Sequence, residues 1–356
     1  PDQAANYEAL AEILWDHGMK EEAARRFRTA VKLDPANREL RLKFAEALFA
    51  TGRGSEAKDL LIELSKSPDV SPVEMLNIAE TLNGRGYAKE AVECARRAVA
   101  ARPDNAEIRR RFAWLLLQQK RFSEALDAFE ALRKMSHVEA HIQEADNQII
   151  RIYDAMGILL DKIDEFEKKL QDNPNDLNVC ERLAKMLYYV RSYDTALERF
   201  EQCCKIAPKN PRLLRQLALR YEEQQRLDRC AECYRKLVKL DPPRAPESYR
   251  KLSRVLARMQ DEKGAIDAAK KVVEMKPRDP KAHAELAKLL AQFKRLDEAW
   301  EEFRNAIALR PQDSAYRQEF AEALFQHKQF EAAAEQFRAI LDTTKESDEY
   351  LRAVRR

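Results

Sequence analysis

Proline returns in this chain at a fixed interval. Pro174, Pro208, Pro242, Pro277 and Pro311 are separated by 34, 34, 35 and 34 residues, and Pro35 and Pro103 stand two intervals apart. Between Pro103 and Pro174 the distance is 71, which is two intervals with three residues inserted near 138–142. Each proline follows an apolar stretch with helical spacing, where it stops the helix by removing a donor and crowding the preceding turn. A period of this length marks a repeat array rather than the two or three globular domains that 356 residues alone suggest. Only seven glycines occur, against 45% hydrophobic and 35% charged residues. Rich in Ala, Leu, Glu, Lys and Arg, the chain reads as all-α.

Placing each proline at position 32 of its unit gives repeat starts at 4, 38, 72, 106, 143, 177, 211, 246, 280 and 314. Position 20 then holds Ala23, Ala57, Ala91, Ala125, Lys162, Ala196, Cys230, Ala265, Ala299 and Ala333. Position 8 is also small, with Ile150 and Ser253 as the departures from alanine. Small residues recurring in this way mark the close crossing of two antiparallel helices. Position 24 carries bulk, in Phe27, Leu61, Phe129, Phe166, Phe200, Tyr234, Phe303 and Phe337, with Ala95 and Ala269 as exceptions. Gly18, Gly52, Gly86 and Gly157 stand at position 15, where a left-handed residue ends the first helix.

These residues resemble the tetratricopeptide repeat family over essentially the whole chain. The resemblance implies a right-handed superhelical solenoid of about ten antiparallel helix pairs, forming a single array over 1–356. The unit at 143–176 is degenerate, since Ile150, Lys162 and Lys169 replace small or apolar residues, and distorted packing or a hinge is expected there. The stretch 346–356 is expected to begin a further or capping helix.

No residues for catalysis emerge. His137 and His141 flank Glu139 in an H-x-E-x-H pattern, which puts the glutamate about 200° around a helix from His137, unlike a zinc protease site. Cys203 and Cys230 occupy positions that other units give to alanine, so they read as small core hydrophobes rather than thiolate ligands. Nucleophile elbows, Walker loops and dinucleotide glycine fingerprints are absent from the sequence, so a non-enzyme with no cofactor and no metal is expected.

In the resembled family the first helices line the concave face, with positions 2, 5, 9, 12 and 13 turned into it. Carried over, this implies a basic, aromatic track of Arg110, Trp114, Arg151, Lys185, Tyr188, Tyr189, Arg212, Arg215, Arg250, Arg254 and Arg258. A second wall of Glu8, Glu12, Trp15, Glu46 and Phe49 is acidic and aromatic. Residues 106–258 hold 30 basic and 24 acidic side chains, although the whole chain carries only +3. An acidic protein or peptide segment is therefore the expected partner, drawn by the local field. The family's chaperone-tail clamp is not matched, because Asn77 is the only asparagine at position 6.

Two other readings remain open: a self-assembling module stacking through solenoid ends, and nucleic-acid binding, which the near-neutral total charge disfavours. No apolar run is long enough to span a membrane, and six cysteines show no disulfide-scaffold density. The start PDQAANYEAL lacks an initiator Met, so a processed or excised chain is expected, with a cytoplasmic setting favoured.

Overall fold

The computed structural model describes residues 2–341; the stretch 346–356 lies outside them. The chain divides into two compact units, Pro1–Lys162 and Ile163–Arg356, so the division falls within the irregular segment 143–176. Among the described residues every regular element is helical. The first unit holds α1 (Asp2–Asp16), α2 (Lys20–Leu33), α3 (Arg38–Ala50), α4 (Gly54–Ser65), α5 (Pro72–Gly84), α6 (Ala88–Ala101), α7 (Ala106–Gln118), α8 (Phe122–Met135) and α9 (Glu139–Ala155). Helix α10 (Leu159–Asp172) carries the division. The second unit continues with α11 (Leu177–Tyr189), α12 (Tyr193–Ile206), α13 (Pro211–Glu223), α14 (Leu227–Leu240), α15 (Ala245–Arg258), α16 (Glu262–Met275), α17 (Pro280–Gln292), α18 (Leu296–Leu309) and α19 (Ser314–Gln326), and residues 330–341 are helical as well.

Helices end and restart for local reasons. Asn37, Asn105, Asp176, Asn210, Asp279 and Asp313 each accept a backbone N–H from the first turn of the following helix, and Ser71 forms a reciprocal capping box with Glu74. All of these caps stand at position 34, and all but Ser71 follow the proline of position 32 by two residues. The first helix of a pair then closes through a left-handed residue. Gly18, Gly52, Gly86 and Gly157 take φ between 72° and 87°, while Lys120, Arg191, Gln225, Gln260, Lys294 and Lys328 take φ between 56° and 64°. Position 15 is thus left-handed in every unit, whether glycine occupies it or not.

This closure supplies a stability test. At Gly52 an added Cβ would meet nothing within 4 Å, so any cost is conformational. Gly52→Ala is expected to lose about 1 kcal/mol. Lys120→Gly is expected to stay within about 0.5 kcal/mol of the parent, relief of strain offsetting the entropy of the unfolded glycine. Urea unfolding measures both, and equal losses would show that backbone conformation does not control position 15.

Close crossing explains the small residues. At position 20, Ala23, Ala57, Ala91, Ala125, Ala196, Cys230, Ala265 and Ala299 are fully buried. At position 8, Ser253 compensates its hydroxyl by donating to the Ala265 carbonyl at 2.9 Å. The bulky residues of position 24 fill the space beside the next pair, Phe129 and Phe303 without measurable exposure. The three-residue insertion near 138–142 is absorbed by length: α9 runs 17 residues where α3, α5, α7, α11, α13, α15, α17 and α19 run 13 or 14. Lys162 is half-buried, and its ammonium sits 5.8 Å from the Tyr153 ring centroid, an aromatic partner for the charge that a small apolar residue would not need.

Candidate partner-binding face

First helices of successive pairs touch side by side within each unit. Asn83 on α5 bonds Gln118 on α7 at 2.9 Å, and Tyr188 on α11 donates to Glu223 on α13 while accepting from Gln224 at 3.2 Å. The basic residues singled out along this face are for the most part already paired. Arg212 makes a bidentate bridge to Glu181, both contacts 2.7 Å, and Lys185 reaches the same carboxylate at 3.0 Å. Arg215 pairs with Asp241 at 2.7 Å. Arg250 lies between Asp279 at 2.6 Å and Glu285 at 2.7 Å. Arg258 donates to Glu222 at 3.1 Å and to Gln225 at 2.7 Å. Arg110 bridges Glu107 and Glu144, and the Trp114 indole N–H donates to Glu144 at 2.5 Å. Arg151 and Arg254 are exposed, and Arg254 makes no ion pair among the described residues.

The acidic partners belong to the same face. Glu107 and Glu144 stand at position 2, Glu181 at 5, Glu222 at 12 and Glu223 at 13, so the register that picks out the arginines also contains part of their counterions, while Asp241, Asp279 and Glu285 lie outside it. A net count over the segment registers an excess of base without showing that Arg212, Arg250 and Arg258 each meet a carboxylate one repeat away. Glu181 is the most deeply engaged. Burial would raise its carboxyl, but the Arg212 hydrogen bonds and the charges of Lys185 and Arg212 prevail and bring it down to about 2. Tyr188 is a half-buried element of this network, with the Arg220 guanidinium 4.4 Å from its ring centroid and Tyr193 packed edge-on at 5.0 Å. Tyr189 is 43% exposed.

On the early helices the acidic wall is tied in the same manner. Glu8 and Glu12 hold the Lys43 ammonium at 2.8 and 2.7 Å, and these hydrogen bonds, Glu12 first, push the lysine further up. Trp15 lies under Lys20 at 5.7 Å, and Phe49 lies between Arg85 at 4.9 Å and Tyr87 at 6.2 Å. Glu46 is exposed.

Two apolar cavities open beside first helices, and each is lined by a position-24 residue that is not aromatic, Leu61 in one and Ala269 in the other. One, of about 160 Å³, has Ala45, Leu61, Leu64 and Ile78 in its walls, with Glu46 and Phe49 at its edge. The other, of about 220 Å³, is walled by Ala257, Ala269, Val272, Ala282 and Leu289 and rimmed by Arg250, Arg254 and Lys288 together with Glu285. Leu61 and Ala269 stand where six other units place a buried ring: Phe27, Phe129, Phe166, Phe200, Tyr234 and Phe303 are each at most 7% exposed. Removing a ring from a close-packed interior leaves volume that neighbours refill only in part.

The remaining polar clusters have local explanations. The His141 ring bonds the Ser136 hydroxyl at 3.2 Å, and that hydroxyl also accepts the Val138 N–H. Cys180 and Cys203 lie 2.9 Å apart as free thiols, both fully buried. Among the described residues no three His, Cys, Asp or Glu side chains group as metal ligands, and no helix is long and apolar enough to cross a membrane.

Sequence models of the tetratricopeptide repeat match residues 14–73 and 83–148 in one form and residues 215–280, 251–314 and 285–349 in another. Residues 149–214, which include most of the degenerate unit 143–176, fall between these spans. No curated protein matches the chain in sequence. Several solved structures are similar. MamA from Desulfovibrio magneticus RS-1 is 19% identical with a TM-score of 0.38, over 48% of this chain and 97% of that chain. YrrB, described as a TPR protein with an unusual peptide-binding site, is 18% identical with a TM-score of 0.37, over 54% of this chain and 98% of that chain. The C-terminal part of a TPR repeat-containing protein from Cytophaga hutchinsonii is 16% identical with a TM-score of 0.42, over 68% of this chain and 98% of that chain. At these identities the likeness concerns the fold alone.

Proposed function

Because the chain belongs to the tetratricopeptide repeat family, a class of protein–protein interaction scaffolds, we propose that its second unit holds an acidic protein segment along the first helices, with a bulky apolar side chain of that segment seated beside Ala269. The observation that carries this reading is the apolar cavity of about 220 Å³ at Ala269. A partner's ring or leucine there takes the place that an internal phenylalanine takes in other units. Seating such a side chain contributes about 1.5–3 kcal/mol. Arg254 at the rim supplies charge that no carboxylate of the chain uses among the described residues, whereas Arg212, Arg215 and Arg250 are committed to Glu181, Asp241, Asp279 and Glu285. Recognition is therefore led by the apolar anchor, and the field around Arg254 selects acidic flanks.

Selection from a displayed library of random peptides tests this. Binders are expected to carry one bulky apolar residue flanked by Asp or Glu. Ala269→Phe restores the residue type of the other units and should weaken them by roughly tenfold or more, the range of a lost anchor. Arg254→Glu should weaken them by up to about fivefold at low salt, with the difference shrinking as salt screens the charge. Binders that hold Ala269→Phe as tightly as the parent would place the functional face elsewhere.

A further inference from the structure

At position 4 of each unit stands a first-helix side chain, and in five of the ten units it is a charged or imidazole group bonded to a neighbouring segment. Arg41 pairs with Glu63 at 3.0 Å, and Asp146 with Arg133 at 2.6 Å. Arg109 donates to the Pro103 carbonyl at 3.0 Å, and Arg317 reaches Gln336 at 3.5 Å. His283 bonds Glu302 at 2.6 Å and the Pro277 carbonyl at 3.1 Å. In the unit beginning at 211 this position is Leu214, and the second helices beside it contribute Cys204 on α12 and Cys233 on α14. Short apolar side chains on three helices leave a concavity of about 630 Å³, floored by Leu214, Leu217 and Leu240. Burial raises the Cys204 thiol to about 11 and the Cys233 thiol to about 12, so at neutral pH both are uncharged lining.

The mouth of this cleft differs from the first-helix face in its charge. Lys205, Lys236 and Lys239 line it, are exposed, and have no ion-pair partner among the described residues. The two carboxylates of the lining are engaged: Glu201 accepts the Tyr221 hydroxyl, and Glu232 faces Arg229 at 3.6 Å. An apolar floor under unpaired cations suits a ligand with an apolar body and an anionic head. The size lies within the ordinary range of small-molecule sites, about 300–1,000 Å³. An extended peptide finds no track here, because the position-4 sites on either side are filled: Cys180 against Cys203, and Tyr249 against the core.

We propose that the cleft between α12, α13 and α14 binds a compact amphiphilic carboxylate, its apolar body on the leucine floor and its head group among Lys205, Lys236 and Lys239. This site is separate from the face proposed to hold a protein segment and stands or falls independently of it. Calorimetric titration of the full chain with decanoate, naphthoate and decanol provides the test. Saturable one-to-one binding of decanoate, of naphthoate or of both is expected, and which of them binds distinguishes an acyl from an aromatic source. Decanol should bind more weakly. Leu214→Arg installs the residue found at Arg41, Arg109 and Arg317 and should abolish binding while circular dichroism and the melting temperature show an intact fold. Should that variant unfold, the exposed double substitution Lys236→Gln with Lys239→Gln decides instead, weakening the anions by up to about fivefold per lysine and leaving decanol unchanged. Saturating ligand should also slow alkylation of half-buried Cys204. The proposal is overturned if neither carboxylate saturates, if decanol binds as tightly, if binding survives both variants, or if an acidic peptide alone protects Cys204.

Discussion

Phe303→Ala is expected to lower the stability of the second unit by about 3–5 kcal/mol, the usual cost of emptying a fully buried aromatic site. Phe303 has no measurable exposure, lies 5.1 Å from Phe320 and 6.3 Å from Trp300 between ring centroids, and Trp300 in turn lies 5.5 Å from Phe320. Truncation therefore removes the centre of a three-ring cluster joining α18 to α19. In a repeat array each pair rests on its neighbours, so the loss should stay local. Urea unfolding followed by Trp300 fluorescence should shift to lower denaturant, and amide exchange should accelerate in α17, α18 and α19 more than in α11 and α12. A loss below about 1 kcal/mol would mean that the cluster collapses around the hole. Ala269 marks a unit that lives with the smaller residue natively, and the cavity beside it is the structural trace of that difference.

Glu181→Gln is expected to cost about 2–4 kcal/mol, because it leaves Arg212 and Lys185 without their shared counterion in a largely dry site. Only 6% of Glu181 is exposed, and its carboxylate accepts from both cations. Its folded pKa, about 2, lies below the unfolded carboxylate value of about 4.3. The stabilisation is therefore complete above the unfolded value and is lost as pH falls from about 4.5 towards 2. The parent should lose stability steeply across that window, and the glutamine variant less steeply. Parallel acid profiles for the two proteins would show that Glu181 does not carry the linkage. Arg212→Gln should reproduce most of the loss, since the same bridge is broken from its other end.

The hidden parts of the candidate face have a common origin. Position 15 announces itself in sequence only where glycine occupies it, yet Lys120, Arg191 and Gln225 adopt the same left-handed backbone. Their closing hydrogen bonds, such as Arg121 N–H to the Leu116 carbonyl at 3.0 Å, are made by the backbone and leave no mark in residue identity. The acidic partners of the arginines were visible in the register at Glu181, Glu222 and Glu223, but pairing across helices depends on rotamers and reach rather than on spacing. The cavities had a sequence signal of a different kind: Leu61, Ala95 and Ala269 lack the ring of position 24, with cavities beside the first and third, and Leu214 stands where five units place a bonded polar side chain at position 4.

Sequence alone determined the helical class and the antiparallel pairing, because a small residue at a crossing, a bulky one beside it and a proline at the end are short-range steric demands repeated along one dimension. Tertiary structure decided which charges are spent and which are left. Arg212 and Arg250 read like Arg254 in a list of groove positions, yet two of the three meet carboxylates and the third faces solvent. That outcome depends on distances between neighbouring helices that residue spacing does not encode, and Coulomb attraction changes severalfold over a few ångströms as a pair leaves water.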